Sequence, residues 1–146
     1  MAATRLATRH AVSGGVGAKR RSVCQVGVWN IRGSMDEKTN ELCKIMEERR
    51  IDILGLCETK KKESGMIRIN GMIEVWSGVK HSEHASKGVA VLIAPRMAEC
   101  MKGFENVSPR LLWIRFKAGL QKLLLVVGYG PCNDEETRKR RNFGMM

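Results

Sequence analysis

The chain has 146 residues, of which 43% are hydrophobic, and this is enough apolar material to bury the core of one domain. It carries 26 Lys and Arg against 15 Asp and Glu, a formal net charge of +11, which favours a polyanion such as DNA over an acidic protein or a neutral small molecule as its partner. The five cysteines are widely spaced without a C-x-x-C pair, so neither a zinc site nor a secreted disulfide framework is indicated.

The first 22 residues form a region of distinct composition. They contain five basic residues, no acid and a Ser-Gly-Gly-Val-Gly stretch, and they show no apolar period. This predicts a disordered basic tail over residues 1–22, followed by one domain over residues 23–146. The tail resembles a mitochondrial transit peptide only weakly, and no apolar run approaches membrane-spanning length. We therefore expect an intracellular chain, nuclear or cytoplasmic, with no membrane partner.

The domain begins with the pattern of a βαβ unit. Residues 23–31 are a β-branched and aromatic run typical of a buried strand, and residues 51–57 are a second apolar run. Between them, residues 36–50 have apolar positions at helical spacing, and either Ser34 or Asp36 can cap this helix. A crossover of this length predicts that the two strands are parallel neighbours.

Later segments predict further strands. Residues 66–76 are expected to form a hairpin around Asn70-Gly71, and residues 88–94 a buried strand after a polar loop at residues 80–87. Residues 111–116 and 123–129 form another strand pair, which turns at Gly119. Residues 134–143 have the acid-then-base order of a helix that starts near Asp134.

Two polar residues follow the predicted parallel strands. Asn30 ends the first strand and Glu58 follows the second, and in open α/β sheets ligands collect at the carboxyl ends of strands. A carboxylate beside an amide suits a hard divalent cation such as Mg²⁺. Spacing alone leaves a plainer alternative equally open, in which Asn30 caps a turn and Glu58 is a solvated strand end.

Four sequence blocks resemble the endonuclease/exonuclease/phosphatase family. They are WNIRG at residues 29–33, ILGLCETK at residues 53–60, GVAVLI at residues 88–93 and GYGP at residues 128–131, in the family's order and at about its spacing. The nearest resemblance is to the endonucleases of LINE-type retrotransposons and to the craniofacial-development-protein-2-like sequences that derive from them. It covers residues 23–143 and implies Mg²⁺-dependent hydrolysis of a DNA phosphodiester as the parent activity.

The resemblance also implies roles for three residues. Glu58 would be a magnesium ligand, Asn30 would contact the metal-bound phosphate region, and Tyr129 would lie beside the scissile phosphate. The alternative for Tyr129 is that it only covers the edge of the sheet, and Gly88 is expected to let the sheet and a loop approach closely.

The sequence departs from the family's pattern after Tyr129. Complete members add a D-x-N block and a serine-aspartate-histidine block, and neither occurs here. None of the histidines, His10, His81 and His84, follows an aspartate, so His81 and His84 are interpreted as solvated loop residues. We therefore expect a truncated, inactive derivative. A non-catalytic module that binds nucleic acid or protein is the alternative.

The fold that the resemblance implies is an α/β fold, a partial four-layer α/β/β/α sandwich that retains the first mixed sheet with its flanking helices. We expect the helix of residues 36–50 to cover one face of that sheet. The face that would meet the second sheet is expected to be bare, and the chain is therefore expected to self-associate through it.

Overall fold

The computed structural model describes residues 6–8, 24–82 and 87–130 of the chain. Nine strands and two helices lie in these ranges. They are β1 (Leu6–Thr8), β2 (Cys24–Asn30), α1 (Met35–Arg49), β3 (Ile53–Cys57), β4 (Ser64–Ile69), β5 (Met72–Ser77), β6 (Val89–Ile93), α2 (Pro95–Ala98), β7 (Met101–Ser108), β8 (Leu111–Ala118) and β9 (Gln121–Gly128).

Within the described ranges the strands form two sheets. The larger has six strands in the order β1-β2-β3-β6-β5-β4, and the smaller has three in the order β7-β8-β9. As predicted, β2 and β3 are parallel neighbours, while β6 runs antiparallel to both β3 and β5. The larger sheet is therefore mixed, and the expected α/β class is confirmed.

The N-terminal segment differs from the prediction at one place. Residues 1–22 were expected to be a disordered tail, but β1 pairs antiparallel with β2, with Leu6 opposite Val26. An edge strand presents unpaired backbone N–H and C=O groups, and a short segment of either polarity can pair with them. The other residues of the predicted tail lie outside the described ranges.

Helix α1 buries one side on the larger sheet. Its buried positions recur at helical spacing, and the acids Asp36 and Glu37 lie in its first turn, where the helix dipole favours negative charge. Ser34 is the N-cap residue, although its side chain makes no capping hydrogen bond. The helix ends at Arg49, and the next residue, Arg50, has a left-handed backbone and donates its N–H to the carbonyls of Glu47 and Met46.

The second face of the larger sheet is covered, and the expectation of a bare face was wrong. Strands β7, β8 and β9 pack on it and enclose a second apolar cluster. Its fully buried side chains include Ile53 and Val91 from the larger sheet and Leu112 and Ile114 from β8. The three strands of the smaller sheet thus cover the face that was expected to be bare. Each face of the larger sheet buries a separate apolar cluster.

Exposed apolar side chains occur on both sheets, among them Val28 on β2 and Met66 on β4, and the most exposed ones within a strand lie on β9 of the smaller sheet. On β9, Leu124 is 60% exposed and Val126 is 57% exposed. Self-association itself stays a prediction, but the surface that could support it differs from the one expected. The whole of β7 was also absent from the sequence prediction.

Two further predictions are confirmed, and two concern residues outside the described ranges. The hairpin of β4 and β5 turns at Asn70 and Gly71, and β8 and β9 pair around Gly119, as predicted. The helix expected over residues 134–143 and the loop residue His84 lie outside the described ranges. No helix in the described part of the chain is both long and apolar enough to cross a membrane.

Candidate functional site

The parallel pair β2 and β3 brings two of the predicted residues to one edge of the larger sheet. Asn30 is the last residue of β2 and pairs with Cys57, the last residue of β3, so Glu58 follows directly beside Asn30. The N–H of Ile31 donates to the Cys57 carbonyl at 3.1 Å, which extends the pairing beyond the strands. The side-chain oxygen of Asn30 accepts a hydrogen bond from the N–H of Arg32 at 3.2 Å.

The third predicted residue reaches this edge from the other sheet. The hydroxyl of Tyr129 donates to Oε1 of Glu58 at 2.9 Å, and both side chains are half-buried. Tyr129 follows β9 directly, and its N–H donates to the carbonyl of Arg110 at 2.8 Å. Asn30, Glu58 and Tyr129 therefore lie at one edge of the molecule, as the sequence predicted, and the contact between Glu58 and Tyr129 joins the two sheets.

Close packing between the sheets sets the distance that Tyr129 must span. A Cβ added at Gly55 would lie 3.5 Å from Cγ2 of Val127, so β9 sits directly on the backbone of β3 at this point. Gly55 is three residues before Glu58, and Val127 is two residues before Tyr129. A Cβ at this distance makes an ordinary van der Waals contact, so alanine fits at position 55, whereas a residue larger than alanine would push β9 outward and carry the tyrosine away from the carboxylate.

Thr59 anchors the loop that follows Glu58. Its side chain is fully buried, its N–H donates to the Gly88 carbonyl at 3.3 Å, and its own carbonyl accepts the N–H of Met35 at 3.1 Å. Gly88 has a φ of +140°, and a Cβ there would clash with the Thr59 hydroxyl. This confirms the close approach that the sequence predicted for Gly88.

A polar cluster beside this loop was not predicted from the sequence. Lys61 Nζ lies 2.8 Å from Oδ1 of Asp36 and 2.8 Å from Oε1 of Glu74, and it lies 4.2 Å from the centre of the Trp76 ring. Burial lowers the pKa of Lys61, but the hydrogen bonds and charges of Asp36 and Glu74 outweigh it and raise the pKa above its ordinary value. The one sequence signal was an acid at position 74 inside an otherwise apolar strand.

Positive charges surround the edge that carries Glu58. The guanidinium of Arg110 lies 5.4 Å from the centre of the Tyr129 ring, and the exposed residues Arg32 and Lys60 follow the two parallel strands. Burial raises the pKa of the neighbouring Cys57 thiol, and the charge of Glu58 raises it further, so that thiol stays protonated at neutral pH. The basic residues can attract an anion to this edge. Because Cys57 is protonated, the groups there that could bind a metal ion are the oxygens of Glu58 and Asn30.

These residues fit part of a magnesium site. Glu58 supplies a charged oxygen and Asn30 a neutral one, and Mg²⁺ usually takes one or two carboxylates with water and substrate phosphates in the other positions. Among residues 24–82 and 87–130, no group of three or more His, Cys, Asp or Glu side chains is arranged to hold a metal ion. Of Asn30, Glu58 and Tyr129, Glu58 is the residue that could supply negative charge to an ion held here.

This chain is similar to known proteins both in sequence and in structure. The sequence is 26% identical to craniofacial development protein 2 of Bos taurus over 106 residues, which are 73% of this chain and 18% of that protein. The structure is similar to the catalytic domain of Xenopus laevis APE2, with a TM-score of 0.55 and 15% identity over 81% of this chain and 48% of that domain. The chain has an endonuclease/exonuclease/phosphatase-like fold. No protein-family model matches it.

An endonuclease/exonuclease/phosphatase-like fold accounts for the edge that the three residues share. The carboxyl ends of the parallel strands and the end of β9 open on the same side of the packed sheets, and this is where α/β proteins place their ligands. The chain spans 18% of the length of craniofacial development protein 2 and 48% of the APE2 catalytic domain. Roles for individual residues and the activity of the whole protein are therefore proposals.

Proposed function

We propose that residues 24–130 supply the metal-binding part of a phosphodiesterase site, with Mg²⁺-dependent hydrolysis of DNA as the parent activity. Glu58 ligates the ion, Asn30 orients a metal-bound phosphate oxygen, and Tyr129 holds Glu58 and lies beside the phosphate. The observation that carries this proposal is the 2.9 Å hydrogen bond from Tyr129 to Glu58 at the edge where β2 and β3 end. A hydroxyl that donates to one carboxylate oxygen leaves the other free to face a cation.

We propose further that the chain, as the sequence gives it, binds metal and DNA without cleaving DNA. Hydrolysis of a phosphodiester needs a positioned water and usually a base with a pKa near neutrality, in addition to a metal ion. Of Asn30, Glu58 and Tyr129, which meet at this edge, Glu58 is the carboxylate, and the Tyr129 hydroxyl already donates to it. His81 is exposed in the loop after β5, as expected of a solvated histidine.

A metal-binding and cleavage experiment tests both parts. Mn²⁺ binding to the full chain, followed by paramagnetic broadening in NMR spectra, is expected to disappear in Glu58→Gln and to weaken about 10-fold in Tyr129→Phe, because Tyr129 orients the ligand. Plasmid nicking with Mg²⁺ is expected to be undetectable for every variant. Glu105→Gln, an exposed acid on the smaller sheet, is the matched control and should bind Mn²⁺ like the unaltered chain.

Two results would contradict these proposals. Mn²⁺ binding that persists in Glu58→Gln would remove the assigned metal site. Plasmid nicking by the unaltered chain that is abolished in Glu58→Gln would show that the chain is itself a nuclease.

DNA is the partner that the charge distribution favours. Five of the 26 basic residues lie within residues 1–22, and Arg110, Arg32 and Lys60 surround the edge that carries Glu58. Contacts to phosphates alone give binding that tolerates sequence and weakens steeply with salt. Deleting residues 1–22 should lower the slope of log K against log salt in a fluorescence anisotropy titration. An unchanged slope would place the contacts on the folded domain instead.

We also propose that the domain descends from the endonuclease of a LINE-type retrotransposon. The support is the four sequence blocks at residues 29–33, 53–60, 88–93 and 128–131, together with the 26% identity to craniofacial development protein 2.

A further inference from the structure

Lys61 connects three separate elements at a single ammonium group. It lies in the loop after β3, and it bonds to Asp36 in the first turn of α1 and to Glu74 in β5, each at 2.8 Å. The side chain of Glu74 is fully buried, that of Lys61 is 10% exposed, and that of Asp36 is 71% exposed. Lys61 therefore mainly compensates the charge of Glu74, because the carboxylate of Asp36 is solvated.

Glu74 is an unfavourable residue for its position unless Lys61 is present. It faces the apolar core beneath α1, and its second oxygen, Oε2, has no hydrogen-bond partner among the described residues. A buried carboxylate is costly unless a cation pairs with it, and a pair of apolar residues would serve stability as well or better. The pair therefore points to a role other than stability.

The loop that Lys61 holds has an unfavourable backbone. Glu58, Lys60 and Glu63 all have left-handed conformations, with φ values of 55°, 54° and 59°, although none of them is glycine. Such residues persist only where surrounding contacts impose the conformation, and they concentrate at functional sites. Thr59 is held by Gly88 and Met35 at one end of the loop, and the backbone of Glu63 pairs with Val79 and Gly78 at the other. Between these anchors, the side chain of Lys61 is the one that reaches the buried Glu74.

We propose that Lys61 is a positioning residue, whose ion pair with Glu74 holds the loop between its two backbone anchors so that Glu58 meets Tyr129. The placement of Glu58 is a structural claim that stands by itself. Its consequence for metal binding rests on the proposed function of Glu58.

The chain contains a single tyrosine, and this gives a direct readout. With ¹³C at the tyrosine Cζ, the NMR signal of the full chain reports the hydrogen bond from Tyr129 to Glu58. Glu58→Ala removes the acceptor and defines the signal of the broken bond. Lys61→Met is expected to move the signal most of the way to that reference. Lys62→Met is the matched control, because Lys62 is the exposed neighbour whose ammonium donates to the His81 carbonyl, and it should leave the signal unchanged.

A second variant separates positioning from folding. Lys61→Met leaves a buried unpaired carboxylate and can destabilise the chain, whereas Lys61→Met with Glu74→Leu removes both charges and keeps the core packed. We expect this double variant to fold with an unaltered circular dichroism spectrum and still to show the shifted Tyr129 signal. A double variant that folds and retains the original signal would overturn the proposal.

Mn²⁺ binding separates this proposal from the proposed function. The double variant is expected to bind Mn²⁺ roughly 10- to 100-fold more weakly, as when a group that orients a metal ligand is removed. If binding to the unaltered chain does not depend on Glu58, the proposed function fails, and the Tyr129 signal still decides whether Lys61 positions Glu58. If binding depends on Glu58 and the double variant binds Mn²⁺ as tightly as the unaltered chain, the consequence for metal binding fails, and the Tyr129 signal still decides whether Lys61 positions Glu58.

Discussion

Strand β5 buries a carboxylate on one face of the larger sheet and not on the other. Beneath β7, β8 and β9 the buried side chains include the apolar Val75, Ile93 and Phe116 and the uncharged Ser77, whose hydroxyl donates to the Ser108 carbonyl. Beneath α1 the buried set also includes Glu74 and Thr39. The two cores lie on opposite sides of the same strands, so β5 contributes apolar residues to one and a carboxylate to the other.

The two faces of the larger sheet therefore have different roles. The apolar face joins the two sheets through a cluster of buried apolar side chains, and burial of apolar area is the main favourable term in folding. The polar face carries the ion pair that reaches the loop of Glu58. Both faces contribute to the site. Tyr129 follows the smaller sheet, which covers the apolar face, and it contacts Glu58 in the loop that includes Lys61.

The largest effect should follow from opening the apolar face. Phe116 is 3% exposed in the cluster between the sheets, and Phe116→Ala should lower the free energy of unfolding by about 4 kcal/mol through lost burial and a residual cavity. Urea denaturation followed by circular dichroism measures this. The matched control is Leu124→Ala on the outer face of β9, where 60% exposure predicts a change within about 0.5 kcal/mol. Equal losses in the two variants would show that the smaller sheet does not pack as described.

A smaller loss of stability should follow from a substitution on the polar face, and a second substitution should restore the stability. Lys61→Met leaves Glu74 buried without its cation and should lower the free energy of unfolding by about 3 kcal/mol in the same denaturation experiment. We expect no larger loss, because the exposed Asp36 side chain places one side of the cluster in contact with solvent. Adding Glu74→Leu should recover most of this loss. If the double variant remained as unstable as the single one, the pair would be a source of stability, and the contrast between the two faces would fail.

Most strands were predictable because their patterns are local. The parallel pair β2 and β3 and the hairpin at Asn70 were predicted from apolar runs, crossover length and turn residues. Strand β7 was not predicted, because only part of it is buried and Gly103, Glu105 and Asn106 interrupt its apolar residues. The packing of β7, β8 and β9 on the larger sheet depends on contacts between distant segments, and this is why a bare face was wrongly expected.

The site divides in the same way. Asn30 and Glu58 could be placed together because parallel strands end at one edge, a rule that needs only the order of elements. The family resemblance added Tyr129, but its hydrogen bond to Glu58 spans 71 residues and depends on how closely Val127 approaches Gly55. Glu74 could not be predicted to bind Lys61, because an acid in a strand is ordinarily read as facing solvent.

The bond from Tyr129 to Glu58 has a thermodynamic consequence for the whole domain. Its donor and acceptor belong to different sheets, so the pair exists only in molecules whose two sheets are docked. A ligand that requires both groups can bind only those molecules, and mass action then draws the population toward the docked form by an amount set by ligand concentration over the dissociation constant. Docking of the sheets and occupancy of the site are therefore linked equilibria, and each must strengthen the other.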